Sequence, residues 1–295
     1  MDRLFIIVPV FNEALNITTL FEGFSNLREE LKGGFSLQYI LVDDGSDDGT
    51  VMIAKQETKD LDLVILKHEK NIGPGAAFAT GFTYLSKCMK EEDWVITMEG
   101  DNTSKYEFIK QMLVRSNEGF DMVFASPYMY GGGFTKTSFL RKLLSSGANL
   151  VVKDLLGIQG IFTASSFFRL YRAKALMKMQ RVFGPGILER VGFESMIEMV
   201  MKIVMLRMTL SEVAMELDSS LRKGKSKMKF LRTIKGYLAL WSYKKGWLKK
   251  LEKTKHEVGF FSTEKEKQDD ISPYHKRITG LLELQPSMDG KTGEN

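Results

Sequence analysis

The chain has 295 residues, of which 43% are hydrophobic, 27% charged and 11% aromatic, a composition that excludes wholesale disorder and collagen-like repeats. Its single cysteine, Cys88, excludes an internal disulfide and a cysteine zinc cluster. The net charge of +5 hides an asymmetry: residues 1–113 hold eleven Lys/Arg against nineteen Asp/Glu, residues 114–295 thirty-one against eighteen, which points to a cation on one side and a phosphate, nucleic acid or anionic membrane on the other.

Asp2-Arg3 leads into only the seven-residue apolar run Leu4–Val10, with Phe11 and then the polar Asn12 and Glu13 behind it, so no secretory leader is expected and a cytoplasmic location is. The apolar runs Leu4–Val10, Leu37–Val42, Leu63–Leu66 and Trp94–Met98 read as strands covered on both faces. Helical stretches near Leu15–Leu31, Thr50–Thr58 and Ala76–Met89 lie between them, and this alternation predicts a doubly wound, mostly parallel α/β sheet. Polar clusters fall at the carboxyl ends of the strands, where such sheets bind ligands: Asn12-Glu13, Asp43-Asp44-Gly45-Ser46 and Glu99-Gly100-Asp101.

A fifth strand is predicted at Met122–Ser126, a mobile loop at Gly131-Gly132-Gly133, and an amphipathic helix from about Ser138 to Leu156. Phe162–Tyr171 reads as a strand, Phe193–Leu206 as a helix and Leu210–Leu217 as the last strand. The best uncharged window, Leu155–Phe168, has fourteen residues and includes Gln159, Thr163 and two serines, short of the roughly twenty mostly apolar residues that a membrane span needs. From Arg222 to Lys253 there are twelve Lys/Arg and one acid, interleaved with residues such as Phe230, Tyr237, Trp241 and Trp247. That basic amphipathic pattern suits an anionic membrane surface, or a solvated helix packed on the domain; no nucleic-acid recognition motif accompanies it, and no nucleic-acid partner is expected. Three segments are expected: 1–221, a basic segment 222–253, and a largely disordered tail 254–295.

Val8-Pro9-Val10-Phe11-Asn12-Glu13 followed by Val42-Asp43-Asp44-Gly45-Ser46-Asp47-Asp48 resembles the opening of the family 2, GT-A-fold glycosyltransferases. Asn71-Ile72-Gly73-Pro74-Gly75 resembles the segment in which small residues admit a nucleotide, and a helix N-terminus behind glycines suits an anionic ligand. Glu99-Gly100-Asp101 falls where the family carries its Asp-x-Asp metal motif; with Glu in first place, Mg²⁺ or Mn²⁺ is assigned mainly to Asp101 and secondarily to Glu99. The resemblance implies a GT-A (Rossmann-like) domain followed by basic amphipathic C-terminal helices.

Ser166–Arg172, Gly192-Phe193-Glu194 with Glu198, and Arg222–Lys227 are similar to the polyprenyl-phosphate branch of that family. This implies an inverting transfer of a hexose from a GDP- or UDP-sugar to a lipid phosphate at the cytoplasmic face of a membrane. By the same resemblance Pro9, Phe11, Glu13, Val42, Asp43, Asp44 and Gly73 line the nucleotide, Glu99, Gly100 and Asp101 meet the diphosphate and metal, Arg222 and Lys227 meet phosphates, and Arg141 meets the lipid phosphate. Where the branch has Ser-Arg-Tyr, this chain has Ser126-Pro127-Tyr128, so Arg141, Lys142 or Lys136 substitutes or the acceptor differs. A soluble transferase with a saccharide or other hydroxyl acceptor, using Glu194 or Glu198 as base, and a catalytically silent nucleotide-sugar-binding protein remain the alternatives. The three histidines form no evident relay, and the methionines of 196–208 read as adaptable core filler.

Overall fold

The computed structural model describes residues 2–58, 60–137, 149, 161–224 and 230–258, with backbone alone at 230–232 and 255–258. Arg141, Lys142, Lys227, most of the helix predicted over 138–156 and the tail beyond 258 lie outside the described residues.

The first strand, β1 (Asp2–Val10), shows why the alternation reads as a two-faced sheet. Leu4, Ile6, Val8 and Val10 point into one core with Ile17, Leu20, Phe21 and Phe24 of α1 (Ala14–Glu30), while Phe5 and Ile7 point into another with Phe78 and Phe82 of α3 (Pro74–Leu85). With both alternate sets apolar, the strand has no solvent face. Gly81 lets α3 lie close on it, since a Cβ there would come 2.6 Å from Ile7.

The remaining elements follow as β2 (Phe35–Asp43), α2 (Thr50–Glu57), β3 (Leu63–Lys67), β4 (Trp94–Thr97), α4 (Phe108–Asn117), β5 (Met122–Ser126), β6 (Gly133–Thr135), β7 (Arg169–Arg172), α5 (Ala173–Phe183), α6 (Ser195–Met205), β8 (Leu210–Ala214), β9 (Glu216–Asp218) and α7 (Phe230–Val258). Seven strands form one sheet in the order β3-β2-β1-β4-β7-β5-β8, all parallel except β7, which runs antiparallel to β4 and β5. The order reverses between β1 and β4. That switch point opens a crevice at their carboxyl ends, beyond Val10 and Thr97.

Three expectations change. The strand predicted at Phe162–Tyr171 is only Arg169–Arg172, because its first part is bound to side chains: Glu212 accepts the Phe162 and Thr163 N–H groups, and Thr97 donates to the Phe167 carbonyl. The last strand divides at Met215, whose N–H joins Ser126 of the large sheet and whose carbonyl accepts from Gly133. Gly133 thereby begins β6, paired with β9 in a small parallel sheet, rather than ending a free loop.

The methionine reading holds: Met196, Met199 and Met201 of α6 are buried in the core that also takes Tyr237, Leu240, Trp247 and Leu251 of α7. No helix among the described residues is long and apolar enough to cross a membrane.

Candidate active site

The β1–β2 side of the crevice is built by two loops that hydrogen-bond each other. Asn12 sits in the left-handed region at φ 53°, with its N–H on Ser46 Oγ (2.9 Å) and its Oδ1 accepting from Asp47 N–H (3.0 Å). The Glu13 N–H reaches Thr50 Oγ1 (2.9 Å) and the Ala14 N–H reaches Asp48 (3.0 Å), so the starts of α1 and α2 are joined. Pro9 and Phe11 are half-buried at the mouth, whereas Val42, paired with Pro9, turns its side chain into the core.

The two adjacent aspartates do different work. Asp44 is saturated: its Oδ1 meets His68 Nδ1 (2.7 Å) and the Ile72 N–H (3.0 Å), and its Oδ2 accepts the Gly73 N–H (2.8 Å). It holds the glycine turn rather than facing the crevice. Asp43, fully buried, takes the Ser46 N–H on Oδ1 (3.1 Å), and its Oδ2 has no protein partner among the described residues. A buried carboxylate oxygen without a donor is costly unless a ligand supplies one.

On the β4 side, Gly100 passes so close to β1 that a Cβ would lie 2.7 Å from Val10 Cγ1 and 3.2 Å from the Pro9 carbonyl, which sets the acidic pair against the end of β1. Asp101 is buried, with Oδ1 accepting from the Thr103 N–H (3.1 Å) and hydroxyl (2.6 Å). Its Oδ2 is held by Arg222, from the segment after β9. Ser104 donates to Glu99, and burial, with the charge of Asp101 beside it, pushes the Glu99 carboxyl above the ordinary carboxylate range.

Arg222 is positioned by Asn16, a buried residue at the start of α1. Asn16 exchanges hydrogen bonds with the backbone of Lys223 at 3.0 Å in both directions, and its carbonyl accepts from Asn102 (3.0 Å). Sequence reasoning missed Asn16 and His68, which act through partners far along the chain, and Thr103 and Ser104, which bind the nearby carboxylates of Asp101 and Glu99; only the Asx and hydroxyl chemistry of these residues carried any signal.

The structure thus brings together Asp43, Glu99, Gly100, Asp101 and Arg222, with Pro9, Phe11 and Glu13 at the rim and Gly73 behind Asp44. Glu198 lies elsewhere, fully buried against Lys202 at 2.5 Å, and Glu194 packs against Gly236 of α7. Glu198, bound also by the Glu189 and Arg190 N–H groups, is not free to serve as a base here. No group of three or more His, Cys, Asp and Glu side chains suited to a metal occurs among the described residues. Glu99 and Asp101 are hard oxygen donors faced by one arginine, a donor set that fits a divalent cation whose other ligands come from a diphosphate and water.

Against known proteins, 180 residues are 28% identical to polyprenol monophosphomannose synthase of Mycolicibacterium smegmatis, covering 60% of this chain and 64% of that one. Dolichol-phosphate mannosyltransferase of Pyrococcus furiosus is 26% identical over 67% of this chain and 52% of its own. An undecaprenyl-phosphate 4-deoxy-4-formamido-L-arabinose transferase of Salmonella paratyphi B is 25% identical over 61% and 52%. In each case the match spans less than two thirds of the relative. In fold the chain is similar to glucosyl-3-phosphoglycerate synthase of Mycobacterium tuberculosis, solved with Mn²⁺, UDP and glucosyl-3-phosphoglycerate, at TM-score 0.55 and 13% identity over 81% of this chain and 79% of that one. Residues 5–180, more than half of the chain, match the family model of glycosyl transferase family 2, and the chain belongs to that family.

Proposed function

We propose that the protein transfers a hexose, with inversion, from a nucleoside-diphosphate sugar to a polyprenyl phosphate. The observation that carries this reading is the cluster of Asp43, Glu99, Asp101 and Arg222 at the β1/β4 switch point. Asp43 offers its free Oδ2 to a hydroxyl or N–H of the nucleoside. Glu99 and Asp101 would hold Mg²⁺ or Mn²⁺, which when bound offsets the negative charge of the diphosphate. Arg222 presents a guanidinium to the same oxygens, where charge grows as the sugar bond breaks.

The acceptor argument begins from Glu198, whose carboxylate is locked to Lys202 and to the Glu189 and Arg190 N–H groups and is not free to deprotonate a hydroxyl. A phosphate monoester, with a second pKa near 6, is largely ionised at neutral pH and attacks without a base. The names of the three relatives, each a polyprenyl- or dolichyl-phosphate sugar transferase, support the same acceptor. Arg141 and Lys227 are proposed as further phosphate contacts.

The outer face of α7 supports peripheral docking to an anionic membrane surface. Leu238, Trp241 and Leu248 are 56%, 58% and 38% exposed, flanked by Lys245 and Lys249, and each basic residue near such a surface contributes about 1 kcal/mol. An acceptor panel tests the function: short polyprenyl phosphates, polyprenols and free saccharides with GDP- and UDP-sugars. Product on the phosphates alone is expected; product on saccharides or polyprenols alone overturns the reading.

A further inference from the structure

The loop between α5 and α6 stands between two parts of the molecule far apart in sequence. On one side it seats the glycine turn that begins α3. The Val191 carbonyl accepts the Gly75 N–H at 2.8 Å. Contact is so close that a Cβ at Gly73 would lie 2.4 Å from the Val191 oxygen, and one at Gly75 2.3 Å from the Arg190 oxygen. Gly73, at φ 129°, also gives its N–H to Asp44. The backbone at 190–191 therefore fixes where this turn sits against Asp44.

The loop is held from beneath by a buried pair. Glu198 accepts the Glu189 and Arg190 N–H groups at 2.8 Å each, and Lys202 donates to Glu198 (2.5 Å) and to the Ile187 carbonyl (2.7 Å). Both side chains are fully buried. Two desolvated charges are tolerated only while these hydrogen bonds stay complete, so the loop has little freedom to shift alone.

On its other side the loop meets α7. Lys250 pairs with Glu189 at 2.6 Å, the Arg190 guanidinium lies 4.5 Å from the Tyr243 ring, and Lys202 Nζ lies 4.7 Å from the Trp247 ring. Gly236 brings the helix onto Glu194, where a Cβ would come 2.8 Å from Oε2. Positions 236, 243, 247 and 250 recur at three, four and seven residues and share one helix face.

We propose that α7 and the turn 73–76 are coupled through residues 187–194, with Glu198 and Lys202 as positioning residues. Seating α7 holds the 190–191 backbone, and that backbone holds the turn. Resting on the reading under Proposed function, which places the donor nucleoside at Asp43, next to the Asp44 that binds this turn, nucleotide affinity and the seating of α7 rise and fall together, since such coupling is reciprocal. A surface that engages the outer face of α7 thereby changes how the donor is held.

Hydrogen–deuterium exchange on the full chain tests the link without any ligand. In Tyr243→Ala/Lys250→Ala, amides at 73–77 and 189–192 should exchange about fivefold faster or more, with β1 and β2 unchanged. Tyr243→Phe/Lys250→Arg should restore wild-type exchange. Trp247→Leu is a second perturbation from the same helix and should act in the same direction. Faster exchange in α7 with no change at 73–77 overturns the coupling, as does a uniform rise that includes β1 and β2. Titration with UDP and GDP in the presence of Mn²⁺ separates the two claims: the double variant should bind more weakly by a similar factor. A wild type that binds neither nucleotide contradicts the donor reading, while the exchange result still decides the coupling.

Discussion

Arg222 and Asp101, 121 residues apart in sequence, form an ion pair over the carboxyl end of β4. The pair gathers the acidic first part of the chain and the basic second part into one site. It also sets what each partner is worth: removing either leaves the other partly buried and unpaired.

Asp101→Asn should keep the Thr103 contacts and the fold, yet lower kcat by about a hundred- to a thousandfold, because the diphosphate loses its counterion. Arg222→Ala should cost a similar factor. The double variant should lose far less than the product of the two factors, since the residues act as a unit. Steady-state kinetics with circular dichroism as a fold control checks this; multiplicative losses would show that the two act independently.

Gly100→Ala places a methyl group against Val10 and the Pro9 carbonyl. Overpacking of this kind costs roughly 1–3 kcal/mol, and it pushes Glu99 and Asp101 away from β1. Urea unfolding should show that loss of stability, and kcat should fall more than KM rises.

Mn²⁺ at about a hundred times its Kd should stabilise the native chain by about 2.7 kcal/mol, which in a protein of this size moves Tm by on the order of 5 °C. Asp101→Asn should abolish the shift and Glu99→Gln should reduce it. A full shift in both variants would place the cation elsewhere.

Asp48 gives a pH signature. Burial opposes its charge, but the hydrogen bonds from Thr50 and Ala14 outweigh it and hold the carboxyl below its ordinary value. A carboxyl depressed on folding contributes stability above its unfolded pKa, near 3.9, and loses it as pH falls through the folded value. The group is exposed and screened, so the effect stays under about 1 kcal/mol. Asp48→Asn should therefore be less stable than wild type at pH 6, and the gap should close toward pH 3 in urea midpoints.

Much of the sheet was legible because its strands are short and apolar on both faces: Met122–Ser126 is read to the residue, and β1 and β2 to within a few. The acidic ends of β2 and β4 were legible for the same reason, since a polar cluster closing an apolar run marks the ligand edge. The insertion of β7 between β4 and β5 was not, because Phe162–Phe168 carries strand composition while Glu212 and Thr97 claim its backbone. Helices α4 and α5 went unread, as did the division of labour between Asp43 and Asp44, which depends on His68 and Gly73 arriving from β3 and α3. The basic run of α7 drew attention to its charges, yet Tyr237, Leu240, Trp247 and Leu251 form a buried seam within it.

The most direct measurement follows sugar transfer from a labelled GDP- or UDP-sugar to a short polyprenyl phosphate with Mn²⁺, with the anomeric configuration of the product read by NMR. A glycosyl phosphate of inverted configuration, formed by the wild type and lost in Asp101→Asn, is the expected result. A retained configuration, or undiminished transfer by Asp101→Asn, would contradict it.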